Sequence, residues 1–114
     1  MSLLKSLFRT ATTAISTAEA RTRLESGQPV FLLDVRQPQE FKAGYIPGAK
    51  LIPLHELTAR MNELPKDREI LCICRSGARS GTAARQLQNA GFNALNIRGG
   101  MIAWEQAGYA IRKG

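Results

Sequence analysis

The sequence contains no uncharged apolar run of the about 18 residues that a membrane-spanning helix needs. It has only two cysteines, Cys72 and Cys74, which are too few and too close together for a disulfide framework. This cysteine usage is typical of a reducing compartment, so we expect a cytoplasmic protein without a membrane span. Aromatic residues make up 6% of the chain, which leaves few platforms for stacking nucleic-acid bases.

Acidic residues are also scarce, with 9 Asp and Glu against 16 Lys and Arg, for a formal net charge of +7. A basic chain can meet nucleic acid, an anionic membrane surface or a small anion. The positive residues are dispersed, and no run of Lys or Arg occurs. Together with the low aromatic content, this pattern argues against nucleic acid and leaves a small anion as a candidate ligand.

The length of 114 residues suits one domain with a single core. Residues 1–14 are basic, contain no acidic residue and carry four large apolar side chains at roughly helical spacing: Leu3, Leu4, Leu7 and Phe8. This apolar run is too broken for a secretory signal. We interpret residues 1–14 as an N-terminal extension, with a short targeting or docking helix as the alternative, and residues 15–114 as the domain.

Short apolar runs alternate with helix-forming segments through the rest of the chain. We predict strands at 29–35, 49–54, 69–74 and 93–97, and an edge strand at 109–112. We predict a first helix from a capping box at Ser16 to Gly27, and a helical turn that begins at Pro38. Further helices are predicted across 54–64, through Ala83 and Leu87 to Gly91, and around Trp104. This order predicts an α/β fold with an open, mostly parallel sheet of about five strands and helices on both faces.

Cys74 stands where the central predicted strand 69–74 ends and a helix is about to begin. Open α/β sheets bind ligands at this edge, and a helix start offers unpaired N–H groups to an anion. Gly77 lets the backbone curl so that successive N–H groups point inward, and Arg75 and Arg79 add positive charge. We therefore expect the loop to hold the Cys74 thiolate.

Ionisation matters because a free cysteine, with a pKa of about 8.5, is only about 3% thiolate at pH 7. Lowering that pKa by about two units makes the group roughly three-quarters thiolate, for about 2.7 kcal/mol of differential stabilisation. A few N–H groups, a helix start and two arginines are enough for this. Cys72, inside the strand, is expected to be an ordinary buried residue, and no further ligands are present to complete a metal site with Cys74.

The chemistry is expected to proceed without a general base, because the only histidine, His55, lies in a segment typical of a surface helix. A thiolate in a ring of N–H groups suits attack on phosphorus or on sulfur. Cysteine phosphatases place their arginine one residue further from the cysteine than Arg79 lies from Cys74. The tighter loop favours a sulfur atom, although Arg79 as a helix cap or a solvent-exposed side chain remains an alternative.

The sequence resembles the single-domain rhodaneses, which are thiosulfate sulfurtransferases. The resemblance rests on three blocks in the family's order, across about residues 15–112: "LLDVRQPQEFKAGYIPGAKLIPL", "CICRSGARSGTAARQLQNAGF" and "IRGGMIAWEQAGY". It implies that Cys74 is the persulfide-forming residue. It also implies that the active-site loop binds the substrate through these residues: Arg75, Ser76, Gly77, Ala78, Arg79 and Ser80.

The other matched positions are expected to be structural. They are Asp34, Arg36 and Glu40 beside the active-site edge, and Gly99, Gly100 and Trp104 in the last crossover. Tyr45 stands where the family commonly has histidine. Because that histidine is not the nucleophile, we expect this difference to affect the shape of the site rim rather than the chemistry.

The resemblance implies transfer of sulfane sulfur from an anionic donor such as thiosulfate to a thiol, cyanide or protein acceptor, through a Cys74 persulfide and without a cofactor or metal. Two alternatives stay open. The first is a non-catalytic binding module or sulfur-relay partner, as some rhodanese-like domains are. The second is a phosphatase or an arsenate reductase, enzymes that use a related cysteine loop.

Overall fold

The computed structural model describes residues 13–114, and these residues form a five-stranded parallel sheet with the strand order β1-β5-β4-β2-β3. The predicted N-terminal extension lies outside the described residues up to residue 12. The strands are β1 (Ala14–Ile15), β2 (Val30–Asp34), β3 (Lys50–Leu51), β4 (Glu69–Ile73) and β5 (Ala94–Ile97).

The central strand β4 pairs with β2 on one side and with β5 on the other, so that Leu71 lies between Leu32 and Leu95. Residues 70–73 of β4 are all buried, as expected for a strand covered on both faces. The apolar composition of this run thus determines its central place in the sheet.

Helices cover both faces of the sheet. They are α1 (Thr17–Glu25), α2 (Pro38–Ala43), α3 (Leu57–Arg60), α4 (Ala78–Asn89) and α5 (Gly100–Gln106). Ala20 of α1 and Trp104 of α5 pack with Leu71 and Ile73 on one face. On the other face, side chains of α3 and α4 pack with Cys72 and Cys74. The predicted fold class is therefore confirmed.

Of two predicted helix signals, the N-terminal one at Ser16 is confirmed in part and the C-terminal one at Gly91 in full. Ser16 Oγ accepts from the backbone N–H of Glu19 at 3.1 Å, although the Glu19 carboxylate pairs with Arg23 and does not complete the capping box. At the end of α4, Gly91 has φ 91° and Phe92 N–H donates to the Leu87 carbonyl at 2.9 Å. This is the Schellman arrangement that the Gly91 position predicts.

Two predicted elements are wrong. Residues 109–112 form no strand: Arg112 makes only an isolated antiparallel bridge with Tyr45, and the fifth strand of the sheet is Ala14–Ile15, which pairs with β5. A two-residue strand is too short to show periodicity in the sequence. The predicted helix 54–64 is broken into α3 and two 3₁₀ turns, Leu54–Glu56 and Met61–Glu63.

The carboxyl ends of β2, β4 and β5 meet at one edge of the sheet, as parallel pairing requires. The segments that follow these strands begin at Val35, Cys74 and Arg98, and Val35 N–H donates to the Ile73 carbonyl at 3.0 Å. The predicted site thus lies at this edge. Between residues 13 and 114, no helix is long and apolar enough to cross a bilayer.

Candidate active site

Cys74 directly follows β4, and a three-residue turn joins it to the start of α4 at Ala78. Gly77 closes this turn with φ 105°, a left-handed conformation that side-chain-bearing residues rarely adopt. A Cβ at this position would also lie 3.3 Å from the Gly99 backbone nitrogen. The turn therefore needs glycine both for its conformation and for its close approach to the chain after β5.

The Cys74 sulfur lies beneath this turn, within hydrogen-bond distance of two polar groups. The Gly77 N–H donates to Sγ at 3.1 Å, and the Ser80 hydroxyl lies 3.3 Å from it. Cys74 is 0% exposed and also contacts the apolar core below the sheet edge. The sulfur is thus covered in this conformation, but polar donors line the side that faces the turn.

These donors control the ionisation of Cys74. Burial alone would raise the pKa of Cys74. Hydrogen bonds from the Ser80 hydroxyl and from the N–H groups of Ser80, Gly77 and Ser76 outweigh burial and lower the pKa below that of an ordinary thiol. Cys72 is two residues away but lacks such donors, so burial raises its pKa to about 12. The turn, rather than the strand, makes Cys74 the more acidic cysteine.

The Ser80 hydroxyl has one proton and two acceptors. Its Oγ lies 2.6 Å from Asn96 Oδ1 and 3.3 Å from Cys74 Sγ, so it can donate to only one of them at a time. Asn96 Nδ2 donates to the Gly77 carbonyl at 3.1 Å, which fixes the carboxamide with Oδ1 towards Ser80. A Cys74 thiol can donate to Ser80, whereas a thiolate must attract the Ser80 proton away from Asn96.

Asn96 is a residue of the site that was not predicted from the sequence. It lies in β5, in a run of mostly apolar residues, and its side chain reaches Ser80 and Gly77 because β5 pairs with β4. The only signal in the sequence is a polar residue inside the predicted strand 93–97.

The two arginines of the loop differ. Arg79 forms a bidentate pair with Glu40 at 2.7 and 2.8 Å, and this contact lowers the pKa of Glu40 to about 2 and raises the pKa of Arg79. Arg75 is exposed and makes no ion pair or side-chain hydrogen bond within residues 13–114. The charge of Arg79 is thus already balanced, whereas the guanidinium of Arg75 is open to an anion.

The remaining predicted loop residues occupy different depths. Ser76 and Ala78 are exposed, Gly77 is half-buried and Ser80 is fully buried. Ser76 helps to lower the pKa of Cys74 through its backbone N–H, and its exposed side chain has no part in that effect.

Asp34 and Arg36 form a buried ion pair at the same edge, with the Arg36 Nη2 to Asp34 Oδ2 distance at 2.8 Å. Arg36 also donates to the carbonyls of Glu40 and Gly44, and so holds the segment that carries Glu40. Tyr45 stacks on Phe41, with ring centroids 4.3 Å apart. The contacts of His55 are to Gln37 and Glu56 on the surface.

The fold and the turn define an α/β domain with a candidate cysteine nucleophile at the carboxyl edge of a parallel sheet. The family model named Rhodanese-like domain matches residues 16–107 of this chain. The chain therefore belongs to the rhodanese-like family, and the resemblance inferred from the three sequence blocks is confirmed.

Similar proteins include a curated relative from Allochromatium vinosum, named Sulfurtransferase. It is 46% identical over 90 residues, which cover 78% of this chain and 84% of that protein. The crystal structure of a rhodanese-like domain protein from Staphylococcus aureus has a TM-score of 0.81 at 34% identity, and the match covers 90% of this chain and 98% of that one.

The structure of a thiosulfate sulfurtransferase from Pseudomonas aeruginosa has a TM-score of 0.83 at 28% identity. The match covers 92% of this chain but 21% of that longer one. These relatives support sulfur transfer as the general class of chemistry.

Proposed function

We propose that this protein is a sulfurtransferase that moves sulfane sulfur from an anionic donor such as thiosulfate to a thiophilic acceptor, through a persulfide on Cys74. The observation that carries the proposal is the set of hydrogen-bond donors at the Cys74 sulfur, which lowers its pKa despite burial. Membership of the rhodanese-like family supports the same chemistry.

In the first half-reaction the Cys74 thiolate attacks the outer sulfur of thiosulfate. A new S–S bond forms to Cys74, and the S–S bond of thiosulfate breaks, with its electron pair leaving on sulfite. A thiolate and a thiosulfate dianion thus give a persulfide anion and a sulfite dianion, so that charge is conserved without a proton transfer. The lone His55, which contacts Gln37 and Glu56, is not needed as a base.

In the second half-reaction an acceptor attacks the outer sulfur of the persulfide and regenerates the Cys74 thiolate. Cyanide leaves as thiocyanate, a thiol leaves as a persulfide, and a protein acceptor follows the same chemistry. The donors that stabilise the thiolate also suit the persulfide anion, in the way that an oxyanion hole stabilises oxygen. The carrier state is therefore stabilised by the same turn.

The loop residues 75–80 are proposed as the substrate-binding site. Arg75, exposed and open to an anion, would orient the sulfonate end of the donor. Arg79 is paired with Glu40, so its contribution requires that pair to loosen or to share the anion. Because Cys74 is 0% exposed, attack also requires the turn or the Cys74 side chain to move outwards.

Replacement of Cys74 by serine tests the proposal. Cys74→Ser is expected to abolish thiocyanate formation from thiosulfate and cyanide, and also the mass gain of about 32 Da that a persulfide adds after thiosulfate treatment. Cys72→Ala is the matched control, since Cys72 lies in β4, two residues before Cys74, and has no donor from the turn. Turnover that survives in Cys74→Ser would end the proposal.

The same measurements separate two of the alternatives, and a phosphatase assay tests the third. A wild-type protein that gains the sulfur but passes it to no small acceptor would be a sulfur-relay partner. A folded wild-type protein that never gains the sulfur would be a non-catalytic binding module. Hydrolysis of p-nitrophenyl phosphate that depends on Cys74 would instead indicate phosphatase chemistry.

A further inference from the structure

The turn that begins α5 lies directly against the backbone of the Cys74 loop. Gly100 is buried with φ 56°, and a Cβ there would overlap the Cys74 carbonyl oxygen and lie 2.5 Å from the Arg75 carbonyl oxygen. The two backbones can therefore approach this closely only because glycine has no side chain.

Two hydrogen bonds join these backbones. The Met101 N–H donates to the Cys74 carbonyl at 2.9 Å, and the Ile102 N–H donates to the Arg75 carbonyl at 3.1 Å. Both N–H groups belong to the first turn of a helix, where no intrahelical acceptor exists for them. The two loop carbonyls therefore satisfy donors that would otherwise need water.

The direction of a carbonyl fixes the direction of the N–H in the same peptide group. Between residues 13 and 114 every peptide bond is trans, so each C=O and the N–H that follows it point in opposite directions. The Arg75 carbonyl points at α5, so the Ser76 N–H of the same peptide points away from α5, and its interaction with Cys74 helps to lower the pKa of that cysteine. The Cys74 carbonyl also points at α5, so by the same rule the Arg75 N–H points away from α5.

We propose that α5 positions the sulfur site: Gly100, with the N–H groups of Met101 and Ile102, holds the two peptide groups that follow Cys74 so that their N–H groups face away from α5 and towards the sulfur side of the loop. This role rests on the proposed function of Cys74 as the nucleophile. It assigns to α5 a task in the chemistry, in addition to the packing of Trp104 and Met101 in the core.

Gly100→Ala tests the close approach, and Gly108→Ala is its matched control. Gly108 also has a left-handed φ, 78°, but a Cβ there meets nothing within 4 Å. Both substitutions place a side chain at a left-handed φ, and only Gly100→Ala brings a Cβ into the loop carbonyls. We expect Gly100→Ala to lower the rate of Cys74 alkylation by iodoacetamide at neutral pH about tenfold, as loss of one hydrogen bond to a thiolate implies. At high pH, where all the cysteine is thiolate, the rates of the two variants should converge.

Ile102→Pro removes the second hydrogen bond, and Ile102→Ala is its control because it keeps the N–H. The Ile102 side chain is 39% exposed, and proline is tolerated in the first turn of a helix. We expect the alkylation profile to move to higher pH in Ile102→Pro only. In the wild-type protein, the amide proton resonance of Ser76 should shift as Cys74 titrates.

Equal alkylation profiles in Gly100→Ala and Gly108→Ala, or in the two Ile102 variants, would overturn the inference. If Gly100→Ala and Ile102→Pro do not fold, the wild-type Ser76 resonance decides, and its failure to titrate with Cys74 overturns the inference. None of these results bears on whether Cys74 is required for sulfur transfer. Failure of the proposed function would appear as turnover in Cys74→Ser, with the α5 measurements unaffected.

Discussion

Ser80→Ala removes the side chain that contributes most to lowering the pKa of Cys74 against the cost of burial. The Ser80 hydroxyl lies 3.3 Å from the sulfur but 2.6 Å from Asn96 Oδ1, so its proton must leave a good acceptor to reach the thiolate. A hydrogen bond to a charged group contributes about 1.5–3 kcal/mol, and this competition favours the lower end of that range.

A loss of about 1.5 kcal/mol of thiolate stabilisation lowers the thiolate population about tenfold at a pH well below the pKa of Cys74. Because Ser80→Ala raises the pKa of Cys74, alkylation and sulfur transfer should fall about tenfold at acidic to neutral pH and recover as the pH rises. The assay is the rate of iodoacetamide alkylation, with thiocyanate formation measured in parallel across the same pH range.

Ser76→Ala is the matched control, because Ser76 contributes to the sulfur site through its N–H and its side chain is exposed. Its alkylation pH profile, which does not depend on thiosulfate binding, should match the wild type. Ser80→Ala also leaves Asn96 Oδ1 without its donor, which should cost about 1–3 kcal/mol of stability and is measured separately by thermal unfolding. A Ser80→Ala profile that coincides with the wild-type profile would refute the reasoning, since the hydroxyl would then stay on Asn96 in both ionisation states.

Two further predictions concern charged side chains at the same edge. Arg75→Ala should raise the KM for thiosulfate several-fold with little change in kcat. The control Arg68→Ala, at the opposite end of β4, should change neither value. Equal kinetics in the two variants would contradict a role for Arg75 in donor binding. Glu40→Gln breaks a partly exposed pair and should cost about 1 kcal/mol or less at neutral pH. Since pairing lowers the pKa of Glu40 to about 2, this contribution is present above the ordinary value of 4.5 and is lost as the pH falls towards 2. The urea midpoints of wild type and variant should therefore converge over that range, and a constant difference would show that ionisation of Glu40 is not its source.

The central strands and the turn were predictable because their signals are local. Residues 69–74 form an apolar run, and the Cys74 to Arg79 segment combines glycine with positive charge, so both can be interpreted without knowledge of neighbours. The helical stop at Gly91 is local for the same reason, since its left-handed φ closes the preceding helix.

The contacts that complete the site depend on strand order, which local patterns do not contain. Asn96 reaches Ser80 only because β5 pairs with β4, and Arg79 meets Glu40 only because the segment after β2 folds against the same edge. The predicted strand 109–112 failed for a related reason. Its alternating pattern places Ile111 against the apolar core, but the edge position next to β5 is taken by Ala14–Ile15.

The structure changes the account of how the sulfur anion is stabilised. The sequence predicts both inward N–H groups and positive charge from Arg75 and Arg79. The groups that oppose burial at Cys74 are backbone N–H groups and the Ser80 hydroxyl, which was not expected to donate, and Arg79 is balanced by Glu40. Neutral dipoles of this kind are effective only where their orientation is fixed before charge develops. The turn is accordingly held from several sides, by the left-handed Gly77, by Asn96 on the Gly77 carbonyl and by the first turn of α5. The arrangement of these neutral groups, rather than the net charge of +7, explains why one of two neighbouring cysteines is the acidic one.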